Sequence, residues 1–98
     1  FSTFVETKIA DLTWLSGEAL LKQYRADNDS VRTFCGCCGS SLLFESKFNR
    51  SENTIEISLA AFDSIEAPHI DAHIYTESKA DWFDINDNLP QFRQYRKN

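Results

Sequence analysis

The hydrophobic pattern changes period often and never holds a helical one for long. Its cleanest stretch is 54–62, where Ile55, Ile57, Leu59 and Ala61 alternate with Glu56, Ser58 and Ala60. Period two turns successive side chains to opposite faces, so this stretch predicts a strand with one buried face. Residues 4–9 also read as a strand, because Phe4, Val5 and Thr7 favour extended backbone. A second short extended piece is expected at 12–15, closed by Ser16-Gly17. Residues 18–24 are ambiguous. Ala, Leu, Lys and Gln favour helix, and Glu18 and Lys22 are spaced to pair one turn apart, yet the segment is short enough to be a strand. Asp27-Asn28-Asp29-Ser30 predicts a turn. Residues 31–34 and 41–45 read as the arms of a hairpin with a cysteine-rich tip. A polar turn is expected at 49–53, another short extended segment at 72–75, and an ordered loop at 81–92, where acids, aromatics and Pro90 follow no period. Many short strands separated by turn signals predict a mainly-β domain.

Composition narrows this picture. Ninety-eight residues suit one domain with little margin of burial. Eight Phe, three Tyr and two Trp argue against disorder, because disordered chains lack large groups to offset ordering entropy. Ten basic residues against fifteen acidic give a net charge of -5, so phosphate polymers are not attracted and nucleic acid is not the expected partner. The one basic cluster, Arg93, Arg96 and Lys97, reads as a solvated tail. No apolar run approaches the roughly 20 residues of a membrane span, so no membrane partner is expected. No charged leader is visible, and the thiols read as reduced, which together give a cytoplasmic expectation. The sequence opens at Phe1 inside an apolar stretch and holds no Met, so it reads as a mature fragment, a truncated chain or the ordered part of a longer one.

Cys35 and Cys38 form a Cys-x-x-Cys between two extended segments. A thioredoxin-like redox pair would open a helix instead. A structural disulfide needs an oxidising compartment and fits an odd cysteine count badly. Inert buried thiols remain a plainer reading. Half of a zinc knuckle is the favoured one: Gly39 after the second Cys lets the chain turn tightly, and Gly36 relaxes the loop interior. Structural zinc takes four ligands, and this pair supplies two. Cys37 reads as a bystander thiol. His69 and His73, if extended, would lie about 13 Å apart, too far for one metal, so His73 reads as a hydrogen-bonded histidine in a packed strand.

Phe34-Cys35-Gly36-Cys37-Cys38-Gly39-Ser40-Ser41-Leu42 resembles the Phe-Cys-x-x-Cys-Gly segment of the glutathione-dependent formaldehyde-activating enzyme family, also called the centromere protein V family. His73-Ile74, Ser78-Lys79-Ala80-Asp81-Trp82-Phe83 and Asp87-Asn88-Leu89-Pro90-Gln91-Phe92 resemble that family's C-terminal signature, in order. Trp14, Ser16-Gly17 and Tyr24-Arg25 also fall where the family has such residues. The resemblance implies a β-tent of small antiparallel sheets pinned by zinc, and it favours strand for 18–24. It implies that Cys35 and Cys38 supply half of a structural Zn2+ site, completed by an N-terminal Cys-x-Cys. A second, catalytic zinc would need a Cys-x-Cys-x-x-Cys. These 98 residues hold neither a Cys-x-Cys N-terminal to Cys35 nor a Cys-x-Cys-x-x-Cys, so the resemblance implies one domain over 1–98 whose first part is absent from them.

The implied activity is that of a zinc-dependent carbon–sulfur lyase acting on a glutathione–aldehyde adduct such as S-hydroxymethylglutathione. A non-catalytic, zinc-pinned protein-interaction module is the other reading. Trp82 and Phe83 are candidates to line a small-molecule cleft, against the plainer account that both rings are core. Lys79 is a candidate to meet a substrate carboxylate, against a solvated or salt-bridged lysine. Asp84 and Asp87 sit in a loop, where acids commonly hold turns.

Overall fold

The computed structural model describes residues 1–64 and 69–96. Lys97 of the basic cluster lies outside them. The chain divides into two compact units, Ser2–Ile65 and Glu66–Asn98, with Phe1 grouped with the latter.

The first unit is one open, five-stranded antiparallel sheet with little helix. Its strands are β1 (Phe4–Lys8), β2 (Leu21–Arg25), β3 (Val31–Cys35), β4 (Ser41–Glu45) and β5 (Thr54–Ser58), in spatial order β1-β5-β4-β3-β2. Strands β2 to β5 follow one another as a meander, and β1 returns to the free side of β5. The β2–β3 turn forms where the Asx cluster demands it: Asp29 N–H bonds the Ala26 carbonyl, Ser30 N–H bonds Asn28 Oδ1, and Asp29 takes the left-handed conformation that Asx residues tolerate.

Register fixes what each face carries. Gln23, Thr33, Leu43, Ile57 and Val5 form one cross-strand row, and Tyr24, Arg32, Phe44, Glu56 and Glu6 form the next row on the opposite face. The core lies on the first face, where Val31, Thr33 and Ile55 are buried. The register slips between Thr33 and Phe34, because Phe34 pairs with Ser41 and leaves Leu42 extra. That bulge falls just before the cysteine turn.

Four local expectations need correction. Residues 12–15 form no strand: among the described residues they have no place in the sheet, and Leu12 N–H bonds the Ile9 carbonyl instead. The segment 18–24 splits into a 3-10 turn at Glu18–Leu20 and strand β2. The stretch 54–62 stops as a strand at Ser58, and Leu59–Ala61 coil into a 3-10 turn whose Leu59 N–H bonds the Thr3 carbonyl. The polar turn expected at 49–53 is mostly helix α1 (Lys47–Glu52). Ser46 caps α1: its Oγ accepts from Asn49 N–H, and Asn49 Oδ1 accepts from Ser46 N–H in return. Asn49 is fully buried, and its amide also donates to Thr54 Oγ1. The helix forms because this one buried amide meets its polar demands locally, not because of an apolar face.

In the second unit the segment 72–75 is not a strand. It carries an isolated bridge, His73 to Gln91, with His73 N–H bonding the Pro90 carbonyl and Phe92 N–H bonding the His73 carbonyl. The loop at 81–92 holds no regular element, as its aperiodic sequence predicts. Among the described residues no helix is long and apolar enough to cross a membrane.

Candidate metal and substrate site

The cysteine turn joins β3 to β4. Cys35 N–H bonds the Ser40 carbonyl at 2.9 Å, and Gly39 N–H bonds the Cys35 carbonyl at 2.7 Å. Gly39 has φ +81°, a conformation that favours glycine after the second cysteine. Gly36 has a different task from the looseness expected of it. Its N–H bonds the Leu20 carbonyl, and a Cβ there would stand 2.8 Å from that same oxygen. The tip is pressed against the start of β2.

All three thiols are free, with Cys35 partly covered and Cys37 and Cys38 exposed. Cys38 Sγ lies 3.2 Å from Ser40 Oγ. Hydrogen bonds from the Ser40 side chain and backbone, and then from the Cys35 thiol, hold the Cys38 thiol below its ordinary pKa. Two soft sulfurs at one tight turn, one of them biased toward thiolate, match half of a tetrahedral zinc donor set. Among the described residues no group of three or more His, Cys, Asp or Glu is placed to hold a metal, so the other half is not supplied there.

His73 is committed elsewhere. Its Nε2 donates to Asp87 Oδ2 at 2.9 Å, and Asp87 Oδ1 accepts Leu89 N–H at 3.1 Å. These two bonds, the His73 one foremost, hold the Asp87 carboxyl below its usual range. With the backbone bonds at Pro90 and Phe92, they clip His73 to the segment 87–92. The sequence signalled a hydrogen-bonded His73, but not its partner.

The structure places the other candidates as follows. Lys79 Nζ donates to the carbonyls of Ala80 and Phe83, closing its own loop. Phe83 packs on Phe1 with ring centres 4.5 Å apart. Trp82 is 89% exposed. Lys79 and Phe83 thus meet through a backbone carbonyl, and none of the three adjoins a described cavity. A cleft of about 310 Å³ does open beside the cysteine turn, walled by Phe4, Tyr24, Arg32, Phe34, Gly39 and Ser41. The sequence did not single it out, because its residues come together only through strand register.

The family model described as glutathione-dependent formaldehyde-activating enzyme matches residues 1–78. The chain belongs to this family. The matched span includes the cysteine turn, the sheet and His73, and it ends before Lys79, Trp82 and Phe83. No curated protein and no solved structure gives a significant match. Membership in the glutathione-dependent formaldehyde-activating enzyme family therefore rests on the family model together with the cysteine turn and sheet that fall inside its span.

Proposed function

We propose that this chain belongs to a zinc-dependent carbon–sulfur lyase acting on a glutathione–aldehyde adduct of the S-hydroxymethylglutathione type. The family match over 1–78 carries this reading, and the paired thiols of Cys35 and Cys38 support it. In the reaction, the C–S bond of the hemithioacetal breaks, its hydroxyl proton leaves, the C–O bond becomes a carbonyl, and the sulfur departs as thiol; synthesis is the reverse. Zinc, when bound at Cys35 and Cys38, supplies a cross-link that ties the hairpin tip to its remaining donors. Those donors come from outside residues 1–98, and on this reading the single domain extends beyond them, with a β-tent pinned by the metal. Within the chain, Gly36 and Gly39 shape the tight turn that carries the two cysteines, and Ser40 favours the thiolate form that a metal needs. Lys79, Trp82 and Phe83 are proposed as outer contacts for the substrate, Lys79 through its charge and the rings through their exposed faces. A cytoplasmic setting keeps the thiols reduced.

The test uses the full-length gene product. Cys35→Ser and Cys38→Ser are expected to strip zinc and lower the melting temperature to that of chelator-treated protein, while Cys37→Ser changes neither. Turnover of glutathione and formaldehyde, followed by NMR, is expected to fall with zinc content. Equal tolerance of all three substitutions would remove the metal assignment. A zinc-loaded protein with no turnover would favour the non-catalytic interaction module.

A further inference from the structure

Arg25, Arg50, Arg93 and Arg96 each meet a carboxylate, at 3.8, 3.1, 3.4 and 3.1 Å. Arg32 does not. Among the described residues its guanidinium has no acidic partner, and its Cζ stands 5.0 Å from the centre of the Phe44 ring. In a chain with fifteen acids against ten bases, an unpaired guanidinium is the exception. A guanidinium held over a ring with no acid on its N–H fork keeps that fork for a planar anion. The nearest acid in its cross-strand row, Glu56, sits beyond Phe44, about 10 Å away at ordinary strand spacing. Glu56 instead meets the Asn49 side chain.

The surroundings complete a site. Arg32 forms part of the wall of the cleft of about 310 Å³ beside the cysteine turn, a size that suits a small molecule. Phe4 and Phe44 pack together at 5.9 Å, and Phe4 and Phe34 give the cleft apolar walls. Gly39 and Ser41 bring the cysteine turn to its rim.

We propose that Arg32 binds the carboxylate of a small ligand whose body lies along Phe4 and Phe34 and whose far end reaches the cysteine turn. The choice of a glutathione-type thiol as that ligand rests on the function proposed above; the anion site itself does not. The fork of Arg32 pairs with the carboxylate side-on, through two parallel N–H to oxygen bonds.

The test is calorimetric titration of the full-length gene product with S-methylglutathione, which cannot form the adduct. Arg32→Gln is expected to weaken binding about tenfold, and Arg32→Lys to recover only part, because an ammonium lacks the fork. The dimethyl ester of S-methylglutathione should bind wild-type protein as weakly as the free acid binds Arg32→Gln. Equal binding by wild type and Arg32→Gln would overturn the proposal, as would a diester as tight as the acid. Displacement by equimolar inorganic phosphate would overturn the carboxylate assignment. If S-methylglutathione does not bind but glutarate does, in an Arg32-dependent way, the anion site stands and the glutathione reading falls. If neither binds, the site falls. Should Arg32→Gln fail to fold by circular dichroism, the ester comparison on wild type decides alone.

Discussion

Gly36 shows how a single position is set by its neighbour rather than by its own dihedrals. Its φ needs no glycine, yet an added methyl would stand 2.8 Å from the Leu20 carbonyl oxygen and 3.1 Å from the Lys22 stem. The lysine stem can move, whereas the carbonyl belongs to backbone that opens β2. Gly36→Ala is therefore expected to break the Gly36 N–H to Leu20 bond and cost about 1–3 kcal/mol, the usual range for overpacking. A thermal melt would read this as a drop of several degrees, since about 1 kcal/mol shifts a domain of this size by roughly 4–8 °C. An unchanged melt would mean that the cysteine turn does not lean on β2. Cys37 and Cys38 make the complementary point. They are adjacent and both exposed, yet it is Cys38 whose Sγ lies 3.2 Å from the Ser40 hydroxyl, a neighbour that holds the Cys38 pKa down.

Between elements, the row Tyr24, Arg32, Phe44, Glu56 and Glu6 carries the chemistry of one sheet face. Glu6 and Glu56 are direct cross-strand partners, a like-charge pair that opposes the β1–β5 contact. Burial first, then Glu6, raises the Glu56 pKa above its ordinary 4.5, and the Asn49 amide offsets part of this. The folded form thus holds its proton more tightly than the unfolded chain. The stability Glu56 contributes is full below about pH 4.5 and is lost as pH rises through the raised value. Glu56→Gln keeps an oxygen for Asn49 and removes the charge. It is expected to stabilise the protein by about 0.5 kcal/mol at pH 7, after solvent screening, and by almost nothing at pH 4. Urea titrations at the two pH values would show it; a gain of the same size at both would refute the like-charge account. Much of this sheet was legible in the sequence, since period two and β-branched residues marked β1, β3, β4 and all of β5, which the pattern overran through residue 62. What escaped has physical reasons. Residues 12–15 have strand chemistry but no partner to complete a ladder, and α1 rests on the buried Asn49 rather than on an apolar stripe. Of the candidate site, Cys35 and Cys38 were legible because flanking residues define their turn. Arg32 was not, because an arginine on a strand reads as solvated until register sets it on Phe44 beside a cleft.

For the whole molecule, burial and charge pull in opposite directions. Among the described residues, Val31 and Ile55 are the buried apolar side chains, while Phe1 is 95% and Leu15 93% exposed. Apolar surface left in water favours association. The net charge of -5 resists it, because copies of an acidic chain repel one another. Salt weakens only the repulsion: the screening length falls from about 10 Å at 0.1 M to about 3 Å at 1 M, while apolar contact is not screened. Acidification toward the pI near 4.8 removes the same barrier by titration. Sedimentation velocity is therefore expected to show a larger average mass at 1 M than at 0.1 M sodium chloride, and a larger one near pH 5 than at pH 8. The two routes should act through one cause, so salt should matter little near pH 5, where the charge is already gone. If instead salt dissociates the species found at pH 8, then copies are held by complementary charges, and the exposed rings and leucines contribute nothing to the contact.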